Sequence, residues 1–147
     1  MRTAIAISVG FAVLGLTYAW EFILIAVCLG EDGTFAGTSY RPSSAWITLN
    51  LLAGFFAGLA GGAVCTLISR GRWRTIGVLC LVVGVLSVGE SVAKEVIVSA
   101  ENMTEQRLPT VSIWTSLGKL VEPRFMHFAN PAVTIAGIIV ASAIQRY

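Results

Sequence analysis

Val88-Gly89-Glu90-Ser91-Val92-Ala93-Lys94-Glu95-Val96 closes an otherwise apolar run over residues 76–98 and sets three ionisable groups within six positions. Charges placed there suit the outer third of a membrane helix, provided that neighbouring helices satisfy them. The rest of the chain fits that setting. Of its 147 residues 56% are hydrophobic and 12% charged, with a mean hydropathy of +0.81. Soluble domains carry about 25% charged residues, so half of the usual solvating surface is missing. A formal charge of +2, with no basic patch interleaved with aromatics, gives no reason to expect nucleic acid as a partner.

Three further apolar runs complete the pattern. The first covers residues 4–29. Met1-Arg2-Thr3 ahead of it resembles the head of a signal peptide, but the run continues through Phe22 to Leu29, so a retained helix is expected. At 1.5 Å per residue it is about 39 Å long, more than the ~30 Å of a hydrocarbon core. The second run, 45–68, opens with Trp46 at interface depth. The last, 131–146, follows Asn130-Pro131, which reads as an N-cap followed by proline at the first helical position. Residues 109–121 read as a short amphipathic helix lying on the membrane surface, with Ile113, Trp114, Leu117, Leu120 and Val121 on one side. The expected architecture is all-α: a four-transmembrane-helix bundle in a single integral membrane domain.

Arginine sets the orientation. The tight turn Ser69-Arg70-Gly71-Arg72-Trp73-Arg74, with Arg2 and Arg146, forms a basic side free of acids. Arg41, Arg107, Lys119 and Arg124 fall on the other side, diluted over longer loops and mixed with five acids. The positive-inside rule therefore puts both termini in the cytoplasm.

Small residues suggest how the helices meet. Gly54-x-x-x-Gly58 is a small-xxx-small pattern, which lets backbones approach closely where lipid supplies no hydrophobic drive. Asn50, Gly54, Ala57, Gly61 and Val64 recur at steps of three and four. So do Gly77, Cys80, Gly84, Ser87, Ser91 and Lys94 in the third run. A short turn joins these two helices, so the two seams are expected to face each other. Cys28, Cys65 and Cys80 all lie within apolar runs without CxxC spacing and read as small apolar residues.

Depth gathers the polar residues. Glu90 and Lys94 lie ~24 Å and ~30 Å above Arg74, Glu21 lies ~12 Å below the outer end of the first helix, and Asn50 ~7 Å below the start of the second. Glu21, Asn50, Glu90 and Lys94 thus share one layer, with His127 and Asn130 just above it. Glu90 and Lys94 are four apart in the favourable order for an ion pair, and Glu21 can reach Lys94 from the neighbouring helix. Three readings stand side by side: a structural triad that fixes helix register, a site for a proton, ion or small polar solute, or a docking surface for a partner's transmembrane helix. His127, the single histidine, has no second histidine or cysteine nearby to build a metal site. No phosphate loop, nucleophile–base set or cofactor motif is present in the sequence.

Arg41-Pro42-Ser43-Ser44-Ala45-Trp46, leading through Asn50 to Gly61-Gly62 and then the arginine turn, resembles uncharacterised four-helix bacterial inner-membrane proteins. The resemblance implies topology and a bacterial cytoplasmic membrane, and brings no activity with it. His127-Phe128-Ala129-Asn130-Pro131-Ala132-Val133-Thr134 resembles the NPA segment of aquaporins. Here it occurs once, among four helices, ahead of a run long enough to cross most of the bilayer, so helix-start chemistry accounts for it. A membrane acid in the first helix is also similar to small multidrug-resistance transporters, but Glu21 lies late in its helix and the outer loops are long.

The expected function is therefore non-catalytic: an accessory or structural subunit of a larger membrane complex, with lipid and other membrane subunits, or further copies of this chain, as partners. The alternative is a small oligomeric transporter or ion-conducting protein using Glu21, Glu90 and Lys94. Gly54, Gly58, Gly61, Gly77 and Gly84 are the expected packing positions.

Overall fold

The computed structural model describes the backbone over residues 2–98 and 112–145, and the side chains over 2–89 and 112–145. The described residues are all-helical in their regular structure, with five helices in the order α1 (Arg2–Thr34), α2 (Ser44–Ser69), α3 (Trp73–Val98), α4 (Ile113–Gly118) and α5 (Met126–Ile144). Of these, α1, α2 and α5 are long and apolar enough to cross a membrane. Leu16, Trp20, Val27, Leu67, Leu81, Val85, Phe128 and Ile144 are each more than 60% exposed. A soluble surface rarely shows apolar area on that scale, whereas acyl chains cover it at no cost.

α2 lies at the centre and presents two rows of small residues at four-residue spacing. Gly54, Gly58 and Gly62 face α5; a Cβ on Gly62 would lie 2.7 Å from the Cα of Ile138. Gly61 and Cys65 face α1, where a Cβ on Gly10 would lie 2.8 Å from the Cβ of Cys65. α5 answers with its own four-residue row: Asn130 and Thr134 meet Gly54, Thr134 meets Gly58, Ile138 meets Gly62, and Ser142 meets Thr66. The matched numbers rise together, so α2 and α5 run parallel. α1 runs against α2, with Gly10 beside Gly61, Tyr18 beside Asn50 and Phe22 beside Trp46. Its buried face is again a four-step row, with Ala6, Gly10, Leu14 and Ala26 all buried. Rows of this kind interlock as ridges into grooves, and glycine lets them do so at backbone distance.

Among the described residues the expected α2–α3 seam does not form. α2 spends its small face on α1 and α5 and touches α3 little. α3 instead turns Ile76, Leu79 and Val83 inward, all at most 3% exposed. Among the described residues a Cβ on Gly77 would meet nothing within 4 Å, while Gly84 makes only an ordinary contact, 3.5 Å from Ile135 Cδ1. The reason is steric: branched side chains fill the wider groove that α3 meets, and the glycines are used where backbones touch.

Two helix boundaries also differ from the sequence expectation. α5 begins at Met126, so Asn130 is an interior residue, not an N-cap, and Pro131 lies inside the helix. There the proline ring has no N–H to give the carbonyl of His127, one turn back. α4 is confined to Ile113–Gly118, shorter than the surface helix expected over 109–121, of which residues 109–111 lie outside the described residues.

Near its C-terminal end, α1 breaks at Gly30 (φ 61°, ψ −167°), a backbone conformation open to glycine, and continues one turn to Thr34. The chain returns through a tight loop held by Ala36 N–H to Arg41 O at 2.8 Å and Ser43 N–H to Thr34 O at 2.8 Å. Ser43 then caps α2, accepting from the Trp46 N–H at 3.1 Å, while its own hydroxyl donates to the Gly33 carbonyl. Phe35 and Tyr40 pack edge to face at 6.1 Å inside this loop. The segment after α4 docks on it through Val121 N–H to Tyr40 O at 3.0 Å, with Lys119 Nζ 5.5 Å above the Tyr40 ring. A folded cap thus covers this end of the helices.

Candidate functional site: a polar layer across three helices

The four-residue rows carry polar side chains at two levels, and the upper one lies a turn or two below the cap. Tyr18 stands on the buried row of α1, Asn50 on α2 one turn inside Trp46, and Asn130 on α5 one turn inside His127. The Tyr18 hydroxyl donates to Asn50 Oδ1 at 2.5 Å and accepts from Asn130 Nδ2 at 3.0 Å. One phenol therefore joins all three helices. Asn50 is 2% exposed, so without this partner its carbonyl would be stranded in an apolar setting at a cost of about 1–3 kcal/mol. Gly54 makes the arrangement possible: a Cβ there would come within 2.6 Å of Asn130 Oδ1 and 3.0 Å of Thr134 Oγ1.

Aromatic rings line the outward side of the layer. Phe22 meets Trp46 edge to face at 5.2 Å and stands 6.5 Å from Tyr18. Several polar atoms are buried here without a hydrogen bond to any described residue: Glu21 Oε2, Trp46 Nε1 and Asn130 Oδ1. Glu21 itself lies beside the buried row of α1, three residues from Tyr18, and keeps partial exposure.

Of the polar residues expected in this layer, Asn50 is at its heart and Glu21 at its margin. The side chains of Glu90 and Lys94 lie outside the described residues, so the expected triad is neither assembled nor dismantled here. The residue that sequence reasoning overlooked is Tyr18. The signal was present: Ala6, Gly10, Leu14, Tyr18, Phe22 and Ala26 repeat at four-residue intervals, and Glu21 stands off that row.

Below the layer the interface is closed. Gly58 abuts the backbone of Thr134, Gly61 that of Gly10, Gly62 that of Ile138 and Gly137 that of Phe55. The polar contact at this depth is self-contained: Thr66 Oγ1 and Ser142 Oγ lie 2.9 Å apart, one hydroxyl donating to the other, and the accepting hydroxyl donates to a carbonyl of its own helix at 2.7 Å. Chemically, the upper layer is a neutral hydrogen-bonded clasp with spare donor and acceptor capacity on its outward side. Cys28, Cys65 and Cys80 are free thiols, exposed, buried and half-buried respectively.

Fold and site together describe an all-helical protein with three helices able to span a membrane, welded at a glycine interface and pinned by one tyrosine. Comparison with protein-family models, with curated proteins and with solved structures gives no match for the chain.

Proposed function

We propose that this chain is a non-catalytic subunit of a larger assembly in a bacterial cytoplasmic membrane, crossing it four times with both ends on the cytoplasmic side. In this reading α3 is the fourth span. Its backbone runs helical from Trp73 to Val98, ~39 Å at 1.5 Å per residue.

The observation that carries the reading is the unequal use of glycine. Gly10, Gly54, Gly58, Gly61, Gly62 and Gly137 bring α1, α2 and α5 to backbone distance among the described residues. A Cβ on Gly77 of α3, by contrast, would meet none of the described residues within 4 Å, and Val78 and Leu81 beside it are exposed. A close-packed interior suits a structural part, and an unused close-approach position on a lipid-facing helix suits docking against another membrane helix. The test is mild-detergent extraction of the tagged chain at native abundance, followed by native electrophoresis. A stoichiometric membrane partner, lost on Gly77→Leu while the helical signal is kept, is the expected result. Purification as a lone monomer counts against the proposal.

Glu21 supports a second reading, a small oligomeric transporter or ion-conducting protein using Glu21, Glu90 and Lys94. Its Oε2 is buried and makes no hydrogen bond among the described residues, and an intramembrane acid is a functional candidate by default. Proton or solute flux in proteoliposomes, compared with Glu21→Gln and Glu90→Gln, tests it. Flux that is unchanged in both variants removes this reading.

A further inference from the structure

At the end of the bundle away from the cap, α1 begins where α2 hands over to α3. Arg2 and Thr3 from α1 and Ser69, Arg70 and Arg72 from the turn line a small open cleft of about 50 Å³. Three of its lining residues are arginines and none is acidic. No Asp or Glu occurs in residues 2–20, 45–89 or 126–145, so these stretches offer the arginines no carboxylate near this end. Three like charges around one cleft repel one another unless an anion sits between them. Its geometry is built by the fold: Arg70 takes the left-handed conformation (φ 55°, ψ 45°), its N–H bonds Leu67 O at 3.4 Å, and Gly71 N–H bonds Thr66 O at 3.0 Å. This hairpin ending brings Arg70 and Arg72 around toward the first turn of α1, whose positive dipole end adds to the field.

The surroundings of the cleft identify the anion. Ile5, Leu67 and Trp73 are exposed by 45%, 68% and 51%, and each lies within three residues of a cleft residue. A cationic cleft with an apolar rim, at the level where a tryptophan marks the interface, matches a phosphate with acyl chains attached. Guanidinium groups grip phosphate oxygens in pairs, which a point charge does not. We propose that this cleft binds the phosphate headgroup of an anionic phospholipid. The inference rests on the membrane reading, with this end at headgroup depth, and is independent of whether the chain is a subunit or a transporter.

The test uses the purified full chain in neutral detergent, titrated with dioctanoyl phosphatidylglycerol, dioctanoyl phosphatidylcholine and inorganic phosphate, with bound lipid counted by native mass spectrometry. Phosphatidylglycerol is expected to bind about tenfold more tightly than the zwitterionic lipid, whose choline the arginines repel, and equimolar inorganic phosphate leaves it in place. Arg2→Gln and Arg72→Gln should each weaken binding about tenfold, and Arg74→Gln, outside the cleft, by less than about twofold. Circular dichroism checks that each variant folds. Equal losses in Arg72→Gln and Arg74→Gln would reduce the effect to net surface charge. Equal binding of phosphatidylcholine, or displacement by inorganic phosphate at the lipid's own concentration, would likewise overturn the assignment.

Discussion

Replacing Gly62 by alanine tests the packing scheme at one of its backbone-to-backbone contacts. The added methyl would lie 2.7 Å from the Cα, 2.9 Å from the carbonyl oxygen and 3.2 Å from the carbonyl carbon of Ile138. Carbon pairs settle at about 3.5–4.0 Å, so α5 must retreat by ~1 Å. Backbone atoms cannot swing aside as a side-chain tip can. The retreat also stretches the Thr66–Ser142 contact, one turn along and now 2.9 Å, beyond hydrogen-bonding reach. Overpacking of this kind costs about 1–3 kcal/mol, and an interhelical hydrogen bond in a membrane protein adds ~0.6 kcal/mol. Against that stands the gain of up to ~1 kcal/mol from removing a helix-interior glycine. A net loss of roughly 1–3 kcal/mol is therefore expected from these terms. Gly77→Ala is the matched control: its methyl meets nothing within 4 Å, so only the favourable backbone term remains. Both variants can be unfolded by sodium dodecyl sulfate in dodecyl maltoside micelles, followed by circular dichroism. If Gly62→Ala proves as stable as Gly77→Ala, α2 and α5 do not meet backbone to backbone, and the scheme built on that contact fails.

Tyr18→Phe removes the one hydroxyl joining α1, α2 and α5 and should cost about 1–2 kcal/mol in the same assay. Combined with Asn130→Ala, the two losses should fall short of additivity by ~0.5 kcal/mol or more; strict additivity would mean that the clasp is not formed. Ser43→Ala deletes the α2 cap and a bond to the Gly33 carbonyl, for an expected loss of ~1 kcal/mol in unfolding free energy. Thiol labelling by a membrane-permeant maleimide should modify Cys28 readily and Cys65 only after unfolding, because Cys65 is fully buried against α1. Rapid labelling of Cys65 in the folded protein would show the α1–α2 interface to be open.

Helix positions were legible in the sequence because they follow from long apolar runs bounded by breakers. The α2 expectation of 45–68 lies within a residue of Ser44–Ser69, and the first run ends where Gly30 breaks α1. Partnering was less legible. Steps of three and four can be threaded through the same glycines to give several faces, and the short α2–α3 turn favoured the wrong one. What separates the alternatives is strict four-residue spacing: residues 54, 58 and 62 on α2 match 130, 134 and 138 on α5 at a constant offset of 76. The NPA-like segment shows the same ambiguity, since Asn130 followed by proline fits a helix start, yet the asparagine side chain is used as a clasp inside α5. Tyr18 escaped notice because a tyrosine in an apolar run reads as ordinary interface chemistry. Only the meeting of three helices gives its hydroxyl two partners.

The pairing of α2 with α5, across 76 residues of sequence, bears on how the chain is made. During synthesis α1 and α2 emerge together and can join at once, but the second glycine row of α2 has no mate until α5 leaves the ribosome. For all the time taken to translate α3, the cap segment and α5, that narrow ridge faces acyl chains or an insertion chaperone. Any nascent chain cut short before Met126 would display it permanently, giving membrane proteases a simple mark by which to tell a finished molecule from an abandoned one.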